Sequence, residues 1–284
     1  MKTYLGREFR PRYKDGRIEI DKCTFERRRF GIDYSEKKHT FVCAKSGSGK
    51  SYAIRVMIEE ISKNQNNQYG TLVIDPIGIY STLRIANDGQ EVETWNKNIQ
   101  NDIHPRSFEN VQVWIPESMK DEYETSMYDW RFSLKIRDIS YFTFCFAFDL
   151  SVLEPQTSLF RRAQRIMRDD NKDYTIDDLT SFISANAEDS HFRSSTIEAL
   201  LSKINTLNDL GIISDTGISI NELIRRNQTT IIDLSMSNVF INRLIVNFLA
   251  ERILQRRKQI VRKLLKAKEE QRKEFIPDYI PATQ

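Results

Sequence analysis

The sequence has only three cysteines, Cys23, Cys43 and Cys145, and no CxxC pair. That argues against a disulfide framework or a cysteine zinc knuckle. Its three histidines, His39, His104 and His191, are dispersed without ligand spacing and read as structural or surface residues. No apolar run approaches the roughly 20 residues of a membrane-spanning helix. The longest, "SYFTFCFAFDL" at 140–150, falls well short and reads as a buried strand. The opening "MKTYLGREFRPRYKDGR" has no apolar stretch, so it does not read as a signal peptide. Charge of one sign is also scarce: the net is +3 with a pI near 8.6, too mild an excess to imply nucleic acid by itself. Cys43 and Cys145 lie in apolar runs and read as small core residues, and the cysteine usage suits a reducing cytoplasm.

What is present is enough apolar material, 39% of 284 residues, for one large domain or two small ones. Residues 1–36 are basic and irregular, with "GRIEI" a candidate short strand. From residue 37 apolar runs alternate with helical periods. "HTFVCA" reads as a buried strand. "KSYAIRVMIEEISKN" reads as a helix with Ala53, Val56, Met57 and Ile61 on one face. "TLVID", "VQVWIP" and "YFTFCFAF" read as further strands. Residues 151–210 carry three helical segments, one opened by Thr175 with Asp178 three positions on, the last ended by Gly211. "TTIID" then resumes the strand pattern, and a long helix runs over about 239–274, apolar through Ile241, Leu244, Ile245, Phe248 and Leu249. The segments are thus 1–36, a core part 37–150, a helical insertion 151–210, and a return to the core over 211–284. Strands alternating with helices predict an α/β class with a mainly parallel sheet.

"AKSGSGKS" (Ala44, Lys45, Ser46, Gly47, Ser48, Gly49, Lys50, Ser51) between a strand and a helix fits a phosphate-binding loop, with Tyr52 next to it. Glycines allow successive backbone N–H groups to converge on one anion, and the helix N-terminus favours that anion. Lys50 reaches the β- and γ-phosphates of ATP, and the Ser51 hydroxyl ligates Mg²⁺. Asp75 and Asp233 each close an apolar strand. Either is a candidate to hold Mg²⁺ or its waters, and equally a turn aspartate. Neither is followed by a second acid: Pro76 and Leu234 stand there.

Taken together, these stretches resemble the HerA-FtsK group of P-loop ATPases, and within it HerA-like proteins. His39 precedes the strand into "AKSGSGKS", "LVIDPIGIY" resembles the family's "DPxGEY" segment and places Asp75 at its aspartate, and "IIDLS" followed by a long helix resembles a later strand. The resemblance implies a RecA-like P-loop NTPase core with a helical insertion. It implies a hexameric ring with ATP and Mg²⁺ at subunit interfaces, duplex DNA in the channel and a nuclease or other effector as partner. It makes Lys50 and Asp75 catalytic, and Ser51 and Asp75 the metal residues. Three departures stand out. Ile79 replaces the family's usual Glu, the N-terminal β-barrel has no counterpart, and "IPDYIPATQ" stands where a strand ending Asp-Glu should begin, so a fragment of a longer protein is expected. The competing readings are a nucleotide-gated assembly module with little turnover and a secretion-type ATPase of the same superfamily. The Lys/Arg stretch 256–273 is interleaved at its end by Glu269 and Glu270 and reads as a solvated helix face. Gln156 and Gln164 face either a neighbouring subunit or solvent.

Overall fold

The computed structural model describes residues 2–10, 13–15, 17–18, 24–33, 40–63, 69–87, 106–170, 173–186 and 192–269. Four parallel strands form the centre, β5 (Thr71–Asp75), β6 (Val111–Pro116), β7 (Trp130–Phe132) and β8 (Thr229–Asp233), in the order β5-β8-β6-β7. Their period-2 alternation divides the core between the two sheet faces. Val73, Val111, Val113 and Ile231 point one way, against Ile54 and Ile58 of helix α1 (Lys50–Ser62) and against Tyr80 and Leu83. Leu72, Ile74, Trp114 and Ile232 point the other way, into a larger apolar cluster.

That second cluster is built by helices α2 (Tyr141–Phe148), α3 (Pro155–Asp170), α4 (Ile176–Ala185), α5 (Ser194–Asp209), α6 (Ile220–Leu223) and α7 (Val239–Glu269). The expected apolar stripe of α7 is fully enclosed: Ile241, Leu244, Ile245, Phe248 and Leu249 are all buried. Thr175 caps α4 as a capping box with Asp178, and Gly211 follows α5 at φ +64°, the left-handed conformation that ends helices.

The structure corrects several expectations. "YFTFCFAF" is the helix α2, not a strand. The Ser140 side chain caps it by accepting from the Thr143 amide at 3.1 Å, and Asp149 ends it at φ +54°. A short run of alternating aromatics satisfies either period; here Phe144 stacks on Phe160 of α3 at 4.2 Å, which a helical turn allows. The segment Thr40–Lys45 is irregular and not a buried strand: Phe41 is 90% exposed and Cys43 is exposed rather than core. It pairs with no strand among the described residues, where β5 is an edge of the sheet. Helix α1 buries Ile58 and Ser62; of the expected face, Ala53 is exposed and Val56, Met57 and Ile61 are half-buried.

The N-terminal part is not irregular: β1 (Lys2–Arg10) pairs antiparallel with β4 (Thr24–Asp33), and β2 (Tyr13–Lys14) with β3 (Arg17–Ile18). Gln164 faces neither solvent nor a neighbour. It is buried and donates to the Ile136 and Ile139 carbonyls, at 3.4 and 2.8 Å. Cys23, the three histidines and "IPDYIPATQ" lie outside the described residues.

Candidate functional site

Two groups of residues carry the candidate chemistry. The first is the loop into α1. Gly47 and Gly49 sit at φ +77° and +88°, which a side chain would strain. A Cβ at either position would meet nothing within 4 Å, so backbone conformation and not crowding calls for glycine there. Ser48 closes the turn: its amide and its hydroxyl both donate to the Lys45 carbonyl, at 3.2 and 2.5 Å. Lys50 is the first residue of α1, and its ammonium donates to the Ala44 and Lys45 carbonyls at 2.7 and 3.0 Å.

Helix α1 begins on Gly49 with no side-chain cap and no acid in its first turn. Its positive dipole end therefore has no acidic side chain from its own first turn to offset it. Residues 43–49, Ser51 and Tyr52 are exposed. Phosphate oxygens fit this arrangement: they would take the uncapped amides and offer the ammonium a charged acceptor in place of two carbonyls. The Ser51 hydroxyl on the same exposed turn fits a hard cation such as Mg²⁺.

The second group lies at the carboxyl ends of β5 and β8, where open parallel sheets place ligands. Asp75 and Asp233 are register partners, and the Leu234 amide donates to the Asp75 carbonyl at 2.9 Å. The Asp75 carboxylate is completely buried and holds the loop that follows it. One oxygen accepts from the Ile77 and Gly78 amides (3.1 and 2.9 Å), the other from the Tyr80 amide (2.8 Å). Asp233 accepts on one oxygen from the Ser235 amide and hydroxyl and from the Tyr123 hydroxyl, at 2.9, 2.7 and 2.9 Å. Tyr123 in turn accepts from the Met236 amide at 3.2 Å. Burial, with the neighbouring Asp233 charge adding to it, pushes the Tyr123 hydroxyl pKa up and keeps it a neutral donor.

Gly78 is where two of these loops meet. A Cβ there would lie 2.7 Å from the Ser235 hydroxyl, and its φ is +76°. Ile79, at the position of the expected Glu, packs its side chain against the cluster beneath α1. Among the described residues no group of three or more His, Cys, Asp or Glu side chains could hold a metal, and no helix is long and apolar enough to cross a membrane. The sequence reading missed Tyr123, which only the β6–β7 connection brings to Asp233. The one sequence signal was the Asp233-x-Ser235 pattern of a side chain bonding its own turn.

A family model described as "Helicase HerA, central domain" matches residues 26–253. No curated protein matches the chain significantly.

Proposed function

The chain belongs to the HerA central-domain family of P-loop ATPases, and from that premise we propose that it binds ATP on residues 44–52 and couples hydrolysis to movement along duplex DNA. The observation that carries this reading is the uncapped start of α1, with two left-handed glycines and the Lys50 ammonium directed into the loop. Lys50 neutralises the β- and γ-phosphates. The amides of residues 45–52 hold their oxygens. The Ser51 hydroxyl binds Mg²⁺, which when present screens phosphate charge and polarises the bond that breaks. For Asp75, its hydrogen bonds favour holding loop 76–80 over direct ligation of the metal. The working unit is a hexameric ring in the cytoplasm, with DNA in its channel and a nuclease or other effector at its face. Lys50→Ala is expected to abolish fluorescent-ATP binding and DNA-stimulated phosphate release; unchanged turnover in that variant refutes the assignment.

One observation favours a second reading, a nucleotide-gated assembly module with little turnover. Both strand-end carboxylates are engaged by turn donors, and neither is followed by a second acid that would serve as base. Steady-state phosphate release separates the two readings, since brisk turnover excludes the module.

A further inference from the structure

The stretch 252–268 on α7 holds eight Lys and Arg and no Asp or Glu. Lys258, Arg262 and Lys266 follow one another at four-residue spacing, so their like charges oppose the helix that carries them. Neither these nor Lys263 has an ion-pair partner among the described residues, and at the start of the stretch Arg252 pairs with Asp138 at 3.5 Å. Threaded between the cations are Leu254, Val261 and Leu265, exposed at 52%, 37% and 55%. Phosphate backbones ask only for cations. A strip that alternates cations with exposed aliphatics asks for a surface that alternates acids with apolar groups.

Such a surface exists on the same chain, in the connection from β6 to β7. Asp121, Glu122 and Glu124 are exposed there and have no ion-pair partner among the described residues. Met127 and Trp130 beside them are 49% and 53% exposed. The two surfaces cannot meet within one molecule. Tyr123 ties the acidic connection to Met236, just before α7 begins, whereas the basic strip starts 15 residues into that helix, at Leu254. At about 1.5 Å per residue the strip lies roughly 20–40 Å along a rigid rod from its start. Complementary surfaces at opposite ends of one rod lead to head-to-tail association.

We infer that the basic strip of α7 is a docking surface for the acidic β6–β7 connection of a second copy of this chain. This deepens the ring reading, on which it rests, by assigning the two faces that would repeat around the ring.

The test uses the full chain in two charge-reversed forms, one carrying Lys258→Glu, Arg262→Glu and Lys266→Glu, the other Asp121→Lys, Glu122→Lys and Glu124→Lys. Sedimentation equilibrium is expected to show wild-type self-association that weakens as salt rises. Each variant alone is expected to associate at least about tenfold more weakly. An equimolar mixture is expected to recover association, because each variant's altered surface then finds its complement on the other. Variants that assemble like wild type, with a native far-ultraviolet spectrum, overturn the inference and leave the ring reading standing. A wild type that stays monomeric with and without ATP and Mg²⁺ overturns both. Loss of binding to a 30-base-pair DNA duplex or to anionic vesicles by the strip variant, with unchanged self-association, assigns the strip to a polyanion and also overturns the inference.

Discussion

Removing the Asp75 carboxylate should loosen the protein before it touches any chemistry. In Asp75→Asn the remaining carbonyl oxygen still serves the Ile77 and Gly78 amides, but the new amide group faces the Tyr80 N–H, donor against donor. One buried amide without an acceptor costs about 1–3 kcal/mol. Asp75→Ala strands all three amides. Partial opening to water limits the total to roughly 3–5 kcal/mol, a large share of a typical domain stability of about 5–15 kcal/mol. The damage spreads, because loop 76–80 leads into Tyr80 and Leu83, which are 8% and 1% exposed in the cluster under α1. With a urea m-value of about 2 kcal/mol/M, the midpoint should fall by roughly 0.5–1.5 M for Asn and by 1.5–2.5 M for Ala. Hydrogen exchange should show the Gly78 and Tyr80 amides losing protection first. If both variants unfold at the wild-type midpoint with those amides still protected, and only the Mg²⁺ dependence of ATP binding changes, the loop-holding role is refuted. Asp75 is then a metal-shell residue.

Other perturbations follow the same reasoning. Gly78→Ala adds a methyl 2.7 Å from the Ser235 hydroxyl at φ +76°, and thermal denaturation should register a loss of about 1–3 kcal/mol. Phe144→Ala removes a fully buried ring stacked on Phe160 and should cost about 3–5 kcal/mol in denaturant titration. Thr175→Ala removes the cap of α4 and should cost about 1 kcal/mol. Asp178 has its pKa held below the usual 3.8 by the backbone hydrogen bond from Thr175 and then by the Thr175 hydroxyl. Its contribution is therefore complete above the ordinary carboxylate pKa and fades as pH falls through the lowered value. A carboxyl titration by nuclear magnetic resonance should place that midpoint below 3.8, and Asp178→Asn should remove the corresponding acid-sensitive part of the unfolding curve.

Much of the fold was legible because it rests on local rules. The apolar runs at 71–75, 111–116 and 229–233 are strands since each buries both faces of a parallel sheet. The Thr175–Asp178 pair caps a helix wherever it stands, and the 3.6-period stripe from Ile241 to Leu249 could only be buried along one side. Expectations failed where a short segment satisfied two periods at once. "YFTFCFAF" alternates like a strand, and only the presence of α3 and α7 made the helix bury more. "FVCA" has strand-forming residues, but a strand forms only by pairing with another, and this segment pairs with none among the described residues.

The candidate site divides in the same way. The sequence by itself determined the glycine turn proposed to bind phosphate, because Gly47, Gly49, Lys50 and Ser51 are neighbours in the chain and that chemistry needs only a turn and a helix start. It left Asp75 balanced between metal residue and turn aspartate, because a carboxylate's role depends on which donors surround it. The tertiary structure surrounded Asp75 with three amides and brought Tyr123 across 110 residues to Asp233. It also set the basic strip of α7 and the acidic β6–β7 connection at opposite ends of one helix. Hydrogen bonds within a turn are written in consecutive residues; contacts across a sheet, and the distance between two charged surfaces, exist only once the strands have chosen their order.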